Sequence, residues 1–134
     1  MNTAVATINS GPTAALIEVG APRLSSLLPE LAHALRKAHV GAVRVEYDGQ
    51  FDLPIIEDPV YLSRRGELFT PRLPKSIAVE LHAFLSELLE LRYPQWANAE
   101  GARGEFVWDV SADECSHSHS LRYTAYATTT RKGL

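Results

Sequence analysis

Three stretches of this chain gather side chains able to do chemistry. The first is CSHSHS, Cys115 to Ser120, where the only cysteine stands two residues from His117 and four from His119. In a β-strand alternate residues share a face, so Cys115, His117 and His119 would line one side and three serines the other. Thiolate and imidazole are ligands zinc prefers, and alternate residues of a strand lie about 6–7 Å apart, a separation suited to two ligands of one ion. A structural zinc needs four, and no second cysteine completes a familiar set. Burial is the simpler account. The same face continues through Leu121, Tyr123 and Ala125, a free cysteine packs as a small hydrophobe, and a histidine near a sheet edge can satisfy one nitrogen on backbone and the other on water.

The second stretch is acidic: Glu46, Asp48, Asp52, Glu57 and Asp58. Clustered carboxylates bind a divalent cation through oxygen or work as a general acid and base pair. The spacing matches no calcium loop, which leaves turn-forming, solubilising acids or a surface for a protein contact. The third is YLSRRGELFTPRLP, with Arg64, Arg65 and Arg72 beside Tyr61 and Phe69. Arginines among aromatics can follow a nucleic-acid backbone and stack on bases, yet three arginines in a chain of formal charge -3 better fit a solvated loop or an acidic protein partner. There is no nucleophile elbow, phosphate-binding glycine loop or HExxH helix. His33, His39 and His82 stand alone on predicted helices.

Elements that must position these groups follow from periodicity. Leu24, Leu27, Leu28, Leu31 and Leu35 recur at three and four and predict a helix over 22–39, begun or kinked at Pro29. GAVRVEYDG alternates as a half-buried strand closed by an Asp-Gly turn, with LPIIED as a short return strand. Residues 59–74, with three prolines, read as an irregular excursion. Ile77, Leu81, Phe84, Leu85, Leu88 and Leu91 predict a core helix over 76–93, stopped by Pro94. Phe106, Trp108 and Val110 form the inward side of a strand, and SADE turns into a second long strand. This order predicts an α+β fold: two helices packed on one face of a mostly antiparallel sheet.

A chain of 134 residues, 46% hydrophobic and 22% charged, makes one ordinary globular domain. Thirteen Lys and Arg against sixteen Asp and Glu exert no global pull on nucleic acid or anionic membrane. One cysteine requires no oxidising compartment, so the cytoplasm is the expected location. Residues 1–20 read as a loose leader, with Ala14 to Val19 able to add a short strand, 21–128 as the domain, and 129–134 as a polar tail. The strand before that tail leaves an open sheet edge, from which a homodimer is expected.

The run RYPQWANAEGARGEFVWDV, together with VRVEYDGQFDLPIIED upstream, resembles an uncharacterised bacterial domain family, mainly proteobacterial and often encoded on plasmids, phages and integrated elements. The resemblance covers about residues 28 to 125. Where such relatives carry a small glycine-rich loop, this chain has QFDLPIIE, retaining Asp52 and Glu57. The family brings no activity with it. It implies a genomic setting, in which a regulator or counter-defence (anti-CRISPR-like) factor of a mobile element would fit.

The expected function is therefore a small non-enzymatic module that binds a protein partner through Asp48, Asp52, Glu57, Asp58, Arg64, Arg65 and Arg72. No catalytic residue, cofactor, metal or membrane contact is expected, and nucleic acid is the lesser partner. The alternative is a metal-dependent enzyme using the acidic loop or Cys115, His117 and His119.

Overall fold

The computed structural model describes residues 2–12 and 22–124. In chain order the elements are β1 (Asn2–Pro12), α1 (Pro22–Lys37), β2 (Val40–Gln50), β3 (Leu53–Ile56), β4 (Val60–Ser63), α2 (Lys75–Arg92), β5 (Ala102–Asp109) and β6 (Glu114–Thr124). The six strands form one sheet in the order β1-β6-β5-β2-β3, with β4 also on β2 and every pairing antiparallel. Since β5 occupies one side of β2, β3 and β4 share the other, end to end, opposite Tyr47–Gln50 and Val40–Arg44 respectively.

Alternation decides the layers. Val43, Val45 and Tyr47 of β2, Phe106 and Trp108 of β5, and Cys115, His117 and His119 of β6 are buried. Against them lie Leu24, Leu28, Leu31 and Leu35 of α1 and Leu81, Phe84, Leu85, Leu88 and Leu89 of α2, in one apolar cluster. Each fully buried leucine or phenylalanine contributes about 1.5–3 kcal/mol, so only this pairing of the two stripes removes both from water. The result is the expected two-layer α+β domain, with the opposite face of the sheet uncovered by either helix.

Four local expectations are corrected. First, α1 does not begin at Pro29 but runs from Pro22 through it, with the proline exposed. Second, the chain does not turn at Asp48-Gly49. The strand continues, and the hairpin turns at Phe51 and Asp52, whose φ of 53° and 64° are what a two-residue primed turn needs. Gly49 serves a different purpose, since a Cβ there would stand 2.6 Å from Cζ3 of the Trp96 ring. Third, the excursion over 59–74 contains β4. Fourth, part of the expected leader is β1, paired along its length with β6 from Asn2↔Thr124 to Pro12↔Glu114. Its polar sequence shows little alternation because the backbone ladder defines it. The open edge expected at β6 is thus occupied, and the sheet ends instead at β1 and at β3 with β4. The strand expected over 14–19 and the tail over 129–134 lie outside the described residues.

Candidate functional site

β6 places Cys115, His117 and His119 on one face, as its alternation requires, and all three are buried. The face turns outward beyond them, since Leu121 is exposed. Register then decides their neighbours: Cys115 lies opposite Trp108, His117 opposite Phe106 and His119 opposite Gly104. On the other side of Gly104 stands Tyr47 of β2. A glycine leaves no side chain between them, so the Tyr47 ring crosses β5 and reaches both imidazoles. Its hydroxyl oxygen is 2.7 Å from His117 Nε2 and 2.5 Å from His119 Nδ1. A phenol has one proton, so Tyr47 donates to one ring and accepts from the other. Tyr93 stacks on His119 with centroids 3.7 Å apart at 9°, and Phe106 stacks on His117 at 4.0 Å and 28°.

This cluster is closed chemistry. Burial, followed by the Arg92 charge, pushes His117 down to about 3 and His119 down to about 4. Burial likewise raises Tyr47 and lifts the Cys115 thiol to about 12. Imidazoles with so low a pKa are poor bases near neutral pH, and a thiol held protonated is no nucleophile. Among the described residues no group of three or more His, Cys, Asp or Glu is placed to hold an ion. The Cys/His strand is buried against the core, and His117 Nδ1 and His119 Nε2 have no hydrogen-bond partner among the described residues. Tyr47, its organiser, has one legible signal in the sequence: a glycine at 104, in phase with the inward-facing Phe106 and Trp108.

Tyr47→Phe keeps the ring and deletes the oxygen that both imidazoles use. Each buried nitrogen left without a partner loses about 1–3 kcal/mol. The variant is expected to fold with an unchanged far-ultraviolet spectrum and to be destabilised by about 2 kcal/mol or more in denaturant titration at neutral pH. An unchanged midpoint would show that the hydroxyl is not shared.

The acidic residues come together on the uncovered face. Glu46 pairs with Glu105 across β2 and β5, and Glu57 N–H donates to Glu46 C=O across β2 and the end of β3. Glu105 of β5, Glu46 of β2 and Glu57 just beyond β3 thus stand in one row. With Asp48, Arg103, Ser118 and Ser120 they line a hollow of about 410 Å³. Arg44 approaches Glu105 at 3.8 Å, and Arg122 binds Asp48 at 2.6 Å, holding that carboxyl below its ordinary pKa through the hydrogen bond first and its charge second. Glu46 and Glu57 have no such cation among the described residues. Asp52 sits at the hairpin tip, and Asp58, beyond β3, adds its charge to the burial that raises Tyr61.

Beside this row stands a set of exposed apolar residues, of which Leu53 and Ile55 belong to the expected return strand, Phe51 to the turn before it and Val60 to the expected excursion. Phe51, Leu53, Ile55 and Val60 are 67%, 69%, 55% and 40% exposed. Ile55 pairs with Asp48 and Val60 with Arg44, so both share the outer face with the charges. The hairpin tip is strained, since non-glycine residues in the left-handed region cost about 1–3 kcal/mol each. Two hydrogen bonds hold it: Phe51 N–H to Ala99 C=O at 2.7 Å and Asp52 N–H to Ala97 C=O at 3.0 Å.

The arginines do not join this surface. Arg64 and Arg65 follow β4 at the end of β2 opposite the acidic hairpin, where Arg64 reaches the Arg36 carbonyl at 3.5 Å. Arg72 lines a separate hollow with His33 and Lys37 of α1. Tyr61 and Phe69 are half-buried and pack against the core.

No helix among the described residues is long and apolar enough to cross a membrane. No curated protein and no solved structure matches the chain. A family of unknown function, DUF6878, matches residues 64–132, just over half of the 134. The match takes in α2, β5 and β6, and with them Tyr93, Gly104, His117 and His119; β2, β3 and the acidic hairpin precede it. The core helix, its Pro-Trp exit and the closing pair of strands are thus a shared scaffold, and the chain belongs to the DUF6878 family.

Proposed function

We propose that this protein is a non-enzymatic interaction module that docks a partner protein on the uncovered sheet face at β2, β3 and β4. The observation that carries the reading is the exposure of Phe51, Leu53, Ile55 and Val60 in one short segment beside the carboxylates of Glu46, Asp48 and Glu57. Large apolar side chains grouped on a surface and rimmed by polar groups mark interaction sites. A strained, exposed tip held on a rigid hairpin adds support, because such conformations persist where surrounding structure enforces them and concentrate at functional segments. The alternative of a metal-dependent enzyme draws no support from the closed Tyr47–His117–His119 cluster.

A bacterial cytoplasm, a mobile genetic element and a regulatory or counter-defence role there are the setting that the family resemblance suggests, and neighbouring genes test it. Self-association is a separate proposal, supported by the open sheet edges at β1 and at β3 with β4.

Tagged protein is expected to retain a stoichiometric partner from its native host. Leu53→Asp with Ile55→Asp should abolish retention with only a small fall in thermal midpoint, because both side chains are more than half exposed and the added cost is one carboxylate placed opposite Asp48. Arg64→Glu with Arg65→Glu should leave it unchanged. Equal retention by wild type and the Leu53/Ile55 variant would remove the reading.

A further inference from the structure

We infer that the partner of this face is a basic amphipathic helix; the inference rests on the docking surface proposed above and names what fills it. The geometry supplies two parallel rows. Leu53, Ile55 and Val60 run along β3 and β4, and Glu46 and Asp48 run along β2 beside them. Adjacent strands are about 4.8 Å apart, and a helix with its side chains is about 10 Å across, so one helix laid along β2 covers both rows. Its apolar stripe would meet the aliphatic row and its flank the carboxylates.

Charge fixes the sign of that flank. Like charges directly opposite on neighbouring strands are destabilising, and here Glu57, Glu46 and Glu105 stand in register across three elements. Among the described residues only Glu105 of the three forms an ion pair, with Arg44, while Arg103 and Arg122 on the same face act on Asp48. Lysine or arginine from a partner would relieve that repulsion, whereas an acidic or neutral segment would add to it or leave it.

Addition of a strand at the β3 edge is the weaker fit. Glu57 N–H bonds to Glu46, so Ile55 and Leu53 fall in the same hydrogen-bonding phase, and Pro54 and Ile56 turn their backbone groups outward. Proline has no N–H to give, which leaves the short edge a single outward donor. The partner therefore lies on the face and not on the edge.

The test is selection of binders to the full chain from a displayed library of randomised peptides, followed by titration of the selected sequences. Selected peptides are expected to carry excess Lys and Arg, to repeat apolar residues at helical spacing, and to gain helicity on binding. Glu46→Lys with Glu57→Lys should weaken them by roughly tenfold or more, and peptides with Lys exchanged for Glu should regain binding to that variant. Selection of acidic, neutral or proline-rich extended sequences that still require Leu53 and Ile55 would overturn the partner chemistry and leave the interaction module standing. Binders indifferent to Leu53→Asp with Ile55→Asp would overturn both. A wild-type dimer in sedimentation that the same double variant dissociates would assign the face to a second copy of this chain and overturn the helix.

Discussion

Gly104→Ala is expected to abolish stable folding, although it adds a single methyl group to a residue of ordinary strand conformation. A Cβ at 104 would collide with the Ser118 carbonyl oxygen and with the hydroxyl and Cζ of Tyr47. The first obstacle is backbone of the neighbouring strand, which cannot give without breaking the β5–β6 ladder. The second is the aromatic ring that crosses β5 to bond His117 and His119. Overpacking a tight core costs about 1–3 kcal/mol, and loss of the shared hydroxyl bonds adds about 1–3 more for each imidazole left unpaired. Their sum approaches the 5–15 kcal/mol by which a domain of this size is stable. Soluble expression, near-ultraviolet dichroism and the denaturation midpoint measure it. A variant with a wild-type midpoint would mean that Tyr47 does not lie over Gly104.

The second large effect is on acid stability. His117 and His119 are 0% and 2% exposed and are held neutral in the folded chain, with pKa values near 3 and 4 against 6.5 in the unfolded one. The folded state therefore binds fewer protons than the unfolded state below pH 6.5. Their contribution to stability is complete above that value and is lost progressively as pH falls toward 4 and 3. Two such groups remove about 3 kcal/mol between about pH 7.5 and pH 5.5. Asp48 acts later, because its carboxyl is lowered from 3.8 by Arg122 and its contribution is lost only as pH falls below that ordinary value. Denaturant titrations at the two pH values are expected to show this difference, and proton uptake on unfolding at pH 5.5 should approach two. Equal stabilities would show that the imidazoles titrate as exposed groups.

Much of the scaffold could be read from period alone. The α2 stripe and the alternation of β2, β5 and β6 each reflect a one-sided environment, and a one-sided environment writes itself into the sequence. β1 escaped because its strand character lies in backbone pairing with β6, which no local pattern records. Asp48-Gly49 misled because its turn chemistry is real, while the glycine is used to admit the Trp96 ring. Alternation puts Cys115 and His117 on the inward side but names no neighbour for them: Tyr47 meets His119 only because Gly104 separates them in register, a coincidence of three strands. The acidic residues were visible as a cluster. Their arrangement in a row, and the exposure of Leu53 and Ile55 beside it, depend on which face the short β3 presents, and a four-residue strand does not fix that by itself.

Two places carry separate roles: a polar cluster stabilises the interior, and the outer face is the proposed docking surface. The most direct test measures denaturation midpoint and partner retention together for Tyr47→Phe and for Leu53→Asp with Ile55→Asp. The prediction is a crossed result, in which Tyr47→Phe lowers the midpoint substantially and retains the partner, while the outer-face pair changes the midpoint only slightly and loses the partner. Loss of the partner by folded Tyr47→Phe, with full retention by the outer-face pair, would contradict the account and move the site to the interior.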